Sequence, residues 1–282
     1  MKRLNHDESL WFLILLGYGA YIAYLLGSGD MLYFINPRLN IFMGASASVF
    51  FLLACIQLPR LFLSGERRRD RFWMALFALP MLLGVATAPK GLHEDIALNK
   101  GVFLSGATGG PASFLDAPRK KTEPMAMLKK MRVGDIDSGV PTSAAPTEDG
   151  VFEVDAAHFD SKLRIVEDVP EAFADLKVRI AGFVQRRSGL PDERFFVVRM
   201  LIVCCAADSL VRGLMVEWPE GASFAPGEWV EAEGVIVLQE FYDDWFLKNV
   251  TTPMIRATRV ERSERPSSIY VYPASGVPVQ QH

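Results

Sequence analysis

The chain has 282 residues, half of them hydrophobic, with 33 acidic and 30 basic side chains for a formal net charge of −3. That length allows two structural units but not many, and the apolar content is high for a wholly soluble protein. Three cysteines, with no CxxC and no Cys/His spacing, exclude a disulfide framework and a zinc-finger-type site.

The charge is unevenly divided. From Pro89 onward there are 28 acids against 22 bases, which leaves 5 against 8 before it. A basic first part therefore precedes an acidic second part, and an acidic domain has no electrostatic reason to seek nucleic acid. The four histidines, His6, His93, His158 and His282, are scattered and form no ligand pattern.

Three apolar runs open the chain, at 10–26, 41–58 and 72–88, and none contains a charged side chain. Each reaches the roughly 17 residues at the lower end of what crosses a hydrocarbon core. Three such runs before residue 89 predict transmembrane helices rather than buried helices of a soluble domain. A cleaved signal peptide accounts for the first run only, and no small-residue cleavage site follows it cleanly. In the second run Gly44, Ala45, Ser46, Ala47 and Ser48 form a small-residue patch suited to close helix approach. Pro80 predicts a kink in the third run. The absence of an intramembrane acid or base argues against a pump formed by this chain alone.

Basic residues in the short loops set an expected orientation. Arg60, Arg67, Arg68, Arg69 and Arg71 lie between the second and third runs, Arg38 between the first two, and Lys2 and Arg3 before the first. A cytoplasmic N-terminus with three spans puts the rest of the chain outside the cytoplasm. Arg38, in the piece FINPR, is then expected at the outer surface, in contact with lipid headgroups or a partner. Gly44 and Ser48 are the expected helix-contact positions.

Residues 90–150 are rich in Gly, Pro, Ser and Ala and read as a flexible linker, with one short helical turn at 124–131. A soluble domain is expected over 151–262 and a disordered tail over 263–282. VFEVD reads as a short strand and AHFDSKLRIVED as a short amphipathic helix. Strand-like runs follow at 177–185, 195–206, 214–218, 229–240 and 254–260. Residues 208–212 and the segment FYDDWFLKNVTTP read as turns. Five short strands, with Gly234 as a bend in one long strand, predict a small OB-like barrel, with an SH3-like barrel or a sandwich as competitors. The expected architecture is thus a membrane-anchored α + β protein, about three transmembrane helices followed by a mostly β barrel.

Chemistry-bearing residues are few. In RMLIVCCAADS, read as strand, Cys204 and Cys205 point to opposite faces and cannot share one site. They are then either small apolar residues of a strand covered on both sides, or one of them is exposed near Asp208 for metal, thiol exchange or partner contact. Asp243 and Asp244, among Phe241, Tyr242, Trp245 and Phe246, make an acidic aromatic segment that repels phosphate and reads as a solvated loop tip rather than a cation site. Trp218, Trp229 and Trp245 read as core or interface residues. No nucleophile elbow, phosphate loop or acid–base pair is present.

The pieces INPR, LPMLLG with PKGL, AGFVQR, RMLIVCCAADS and GEWVEAEGVI together resemble the YcgQ-type family of bacterial membrane proteins, labelled permease subunits. The resemblance spans nearly the whole chain except the linker and tail. It implies an accessory, non-catalytic subunit beside a separate multi-spanning permease, with Cys204, Cys205 and Asp208 as motif positions and no role assigned to them. The expected partners are therefore that permease and membrane lipid, not nucleic acid, and no cofactor is expected. The alternative is a membrane-tethered metal- or thiol-sensing protein acting through Cys204, Cys205 and Asp208.

Overall fold

The computed structural model describes residues 6–62, 71–87, 94, 102–103, 150–187, 189–243, 248–266 and 268–273. The chain divides into two compact units, one of 1–91 with 204–207, the other of 92–203 with 208–282.

The first unit is helical. Helix α1 runs His6–Ser28, α2 Asn40–Gln57 and α3 Arg71–Thr87, with 3-10 turns at Asp30–Tyr33, Pro37–Leu39 and Leu58–Phe62. Gly29, at φ 82°, takes the left-handed conformation that lets the chain leave α1. Two helical stretches, Glu8–Ser28 and Pro37–Phe62, are long and apolar enough to cross a membrane by length and composition, and Leu76–Ala86 is a shorter apolar helix. At 1.5 Å per residue the first of these is about 30 Å long, the thickness of a hydrocarbon core. Pro80 lies inside α3.

Helix α1 is the shared element, packing on both α2 and α3. Its glycines permit this: a Cβ on Gly17 would sit 2.5 Å from Met81 Sδ, and one on Gly19 would crowd the Phe51 ring. Gly84 of α3 receives Tyr21 in the same way. Tyr18 stacks on Phe50 with centroids 5.5 Å apart, and its hydroxyl donates to the Phe77 carbonyl at 2.8 Å. At the other end of the pair, Gln57 donates to the Glu8 carboxylate. Large apolar side chains face outward instead, among them Leu13, Ile41, Phe42, Leu52, Leu82 and Val85. Small residues at the close helix contacts, with many large apolar side chains facing outward, reverse the pattern of a water-soluble bundle.

The second unit is built on one sheet. Its strands are β1 Val102–Phe103, β2 Phe152–Val154, β3 Lys177–Gln185, β4 Arg194–Leu201, β5 Leu210–Glu217, β6 Trp229–Asp243, β7 Lys248–Arg262 and β8 Tyr270–Val271. Helix α4, Phe159–Asp168, and the short α5, Pro170–Phe173, lie between β2 and β3. Five strands close into a barrel: β3 pairs with β4, β4 with β5, β5 with β7, β7 with β6, and β6 with β3. All of these pairings are antiparallel except β5–β7. A five-stranded β-barrel is thus the C-terminal architecture.

Alternation fills this barrel. Phe195, Val197 and Leu201 of β4, Leu214 and Val216 of β5, Val230, Ala232 and Ile236 of β6, and Ile255 of β7 share one core. Phe159, Leu163 and Val166, at helical spacing on one face of α4, complete it with Phe152 and Phe173. Two-residue edges flank the ring: β1 runs parallel to β5 and β8 parallel to β4.

Several elements differ from the sequence-based expectation. Strand β4 stops at Leu201 rather than 206, and 210–212, expected as a corner, belong to β5. Strands β6 and β7 extend to Asp243 and from Lys248, so most of the segment expected as a turn is hairpin. The bend at Gly234 takes the form of a register shift between Glu233 and Gly234, where a Cβ would collide with the Arg256 carbonyl. Ile269, Tyr270, Val271 and Tyr272, in the segment expected as a tail, are buried, and Tyr270–Val271 form β8. Most of the expected linker, including 124–131, and residues Asp244, Trp245 and Phe246 lie outside the described residues.

Candidate functional site

The expected motif residues meet on a short loop. Because β4 ends at Leu201, Cys204 and Cys205 lie outside the strand, and their side chains do not diverge to opposite faces as expected of strand residues. The chain bends at 203–204 and then forms a 3-10 turn at Ala206–Asp208. This curvature brings the two sulfurs to 3.7 Å. One ligand atom from each of Cys204, Cys205 and Asp208 lies within 4.8 Å of the others. Both thiols are reduced and half-buried, while Asp208 is exposed.

The backbone of 204–207 groups with the helical unit. Asn36 N–H donates to the Cys204 carbonyl at 2.9 Å, Ala206 N–H donates to the Phe34 carbonyl at 2.8 Å, and Cys205 forms an isolated bridge with Ile35. Asn36 is itself fixed: it is buried, and its side-chain oxygen accepts from Arg38 N–H at 3.0 Å to start the turn Pro37–Leu39. Two stretches that are 170 residues apart in sequence, INPR and CCAA, are thus one local structure.

The other expected contact residues behave differently. Arg38 is exposed on its 3-10 turn. Gly44 has nothing within 4 Å of the position its Cβ would take, and the exposed Ser48 hydroxyl donates back to the Gly44 carbonyl at 2.9 Å. Neither is used in packing within the helical unit. The close helix contacts fall instead on Gly17, Gly19 and Gly84, which sequence reading did not single out.

Charged residues of the barrel unit are absorbed structurally. Arg212 is 2% exposed and donates to Glu167 at 2.6 Å, with Asp160 at 3.9 Å, which ties α4 to β5. Arg199 lies between the Phe159 and Trp229 rings, 5.9 and 5.2 Å from their centroids, and its Nε donates to the Ala181 carbonyl. Burial brings its guanidinium down to about 10. Glu94, inside the expected linker, is buried and accepts from Trp229 Nε1 at 2.9 Å and Arg265 Nε at 2.6 Å. Burial raises its carboxyl, but these two hydrogen bonds, a backbone hydrogen bond and the charge of Arg265 together hold it below the usual range. Asp155 is similar. Burial pushes it up, Lys162 at 2.5 Å and the His158 amide pull it down further, and the net direction is down. Trp229 is a core residue, as expected of it. Among the described residues these groups face one another across packed interior or helix caps, and Cys204, Cys205 and Asp208 form the one cluster of potential metal ligands.

Comparison with known proteins gives one consistent answer. A model of the DUF1980 N-terminal domain matches residues 10–103, and a model of the DUF1980 C-terminal domain matches residues 140–273. The UPF0703 protein YcgQ of Bacillus subtilis (strain 168) is 26% identical over 110 residues, covering 39% of this chain and 37% of that protein. This chain therefore matches little more than a third of that relative's length. Among solved structures, a small single-stranded DNA-binding protein from Streptomyces coelicolor aligns at 13% identity over 32% of this chain and 94% of its own, with a TM-score of 0.22. That score is too low to carry any inference. The paired domain matches and the likeness to YcgQ show that the chain belongs to the YcgQ-type, DUF1980 family.

Proposed function

We propose that this protein is an accessory, non-catalytic subunit of a membrane permease complex, anchored by its N-terminal helices and carrying its β-barrel outside the cytoplasm. The observation that carries this reading is the inverted helical unit. Its leucines, isoleucines and phenylalanines face outward, and Gly44 and Ser48 form an unfilled small-residue strip on α2. The outward residues face lipid. The strip accepts a helix of a multi-spanning partner, because close van der Waals packing is what drives helix association in lipid. Three spans, with α3 as the third, and the arginine-rich loop between α2 and α3 favour an external barrel. The strand order, with its single parallel pairing between β5 and β7, supports an OB-type barrel. The acidic balance of that half disfavours nucleic acid and leaves a solute or a protein surface as its target.

Co-expression with the family's multi-spanning permease, followed by affinity purification of this chain in mild detergent, tests the proposal. The permease is expected in the eluate, with recovery reduced about tenfold by Gly44→Leu combined with Ser48→Leu, a loss of about 1.4 kcal/mol. Purification of this chain alone, with the permease left entirely in the flow-through, overturns it.

A further inference from the structure

We propose that Cys204, Cys205 and Asp208 form a binding site for a thiophilic divalent cation of the zinc class. All three ligands come from five consecutive residues, whose backbone is held by Asn36, Ile35 and Phe34. Two sulfurs bound to one tetrahedral zinc, each about 2.3 Å from it, stand about 3.8 Å apart. The two sulfurs here stand 3.7 Å apart. Adjacent cysteines rarely present such a bite, because in a strand their side chains diverge. Here the bend at 203–204 and the 3-10 turn at 206–208 fold them to the same side and bring the Asp208 carboxylate within 4.8 Å of both.

At this spacing the two sulfurs are not joined in a disulfide. A disulfide requires about 2.05 Å between sulfurs, and neighbouring residues can reach it only with an unusual backbone. A shared cation bridges the pair without moving it.

The ligand chemistry selects the ion. Two thiolates favour zinc-class ions over magnesium or calcium, which demand several oxygen ligands. One carboxylate completes three protein ligands, so a tetrahedral ion keeps its fourth position for water or an incoming group. Half-buried thiols and an exposed carboxylate leave such a path open. Binding converts two thiols to thiolates and releases their two protons to solvent, so affinity rises with pH.

The test uses the reduced, full-length protein in detergent, titrated with Co(II) and then with Zn(II). One equivalent of Co(II) is expected to give thiolate-to-metal charge-transfer absorption and tetrahedral ligand-field bands, both abolished by one equivalent of Zn(II). Competition against a chromophoric chelator is expected to show at least about a 100-fold loss of Zn(II) affinity in Cys204→Ser and Cys205→Ser, and about a tenfold loss in Asp208→Asn. Cys55→Ala, on a different helix, is expected to bind as the wild type does. Each variant is compared only if its far-UV circular dichroism and elution volume match the wild type. Absence of the charge-transfer band in reduced wild type, or full Zn(II) affinity in the Cys204→Ser/Cys205→Ser double variant, overturns the site; unchanged affinity in Asp208→Asn overturns its three-ligand form. Because the measurement is made on the isolated chain, its outcome is independent of whether a permease co-purifies.

Discussion

At the scale of single residues, the barrel unit holds several buried charged groups, Glu94, Lys162, Arg199 and Arg212, against a partner of opposite charge or an aromatic face. Glu94 shows what this does to the response to acid. Its carboxyl titrates below its unfolded value, so its contribution to stability is present above about pH 4 and is lost as pH falls through the folded value. Asp155 acts in the same direction through Lys162. Glu94→Gln is therefore expected to lower stability near neutral pH by about 1.5–3 kcal/mol, the scale of a hydrogen bond to a charged group. It is also expected to flatten the loss of stability between about pH 5 and 3. Thermal melts followed by tryptophan fluorescence across that range check both, and a variant as acid-sensitive as the wild type would remove Glu94 from this account. None of these pairings was legible in the sequence. Glu94 sits in a Gly/Ala-rich stretch 135 residues from Trp229, and Arg212 reads as a turn residue unless Glu167, 45 residues earlier, is known to neutralise it.

At the scale of elements, legibility followed how local the determining forces are. Strand β3 was read to its observed limits because VRIAGFVQ alternates and is bounded by Leu176 on one side and the RRSG turn on the other. The amphipathic α4 was equally clear from its 159, 163, 166 spacing. The end of β4 was not, because the apolar run continues through Val203 and the strand stops only where β5 begins, with Leu201 opposite Leu210. That one misplaced boundary concealed the relation between the two cysteines. The β6–β7 hairpin was underestimated because its acidic and aromatic tip resembles a loop in composition. Its bulge was foreseen from Gly234. Gly234→Val is expected to cost about 2–3 kcal/mol, since the added side chain must displace the Arg256 backbone on the paired strand. The midpoint of urea denaturation measures it, and a wild-type midpoint would mean that the strands are not held in this register.

At the scale of the whole molecule, composition alone separated an apolar basic part from an acidic part, and the two compact units reproduce that division. Two helices have the length to span a membrane, and the reading of α3 as a third decides on which side the barrel lies. With Cys55, Cys204 and Cys205 replaced, Ser138→Cys is expected to react with a membrane-impermeant maleimide in intact cells. Reaction only after lysis would put the barrel in the cytosol and leave α3 outside the count of spans.

The parallel seam between β5 and β7 has a consequence for biogenesis. Strands β3, β4 and β5 form a meander as they are made, and β6 can then add to the free side of β3. Beyond residues 211–212, which pair with β1, the margin of β5 at 215–217 finds its partner at residues 254–256 only when the last long strand is made. Until then a nascent chain presents an open row of backbone donors and acceptors to its neighbours. A truncated product ending before that point keeps this edge open and is a candidate for chaperone capture or proteolysis.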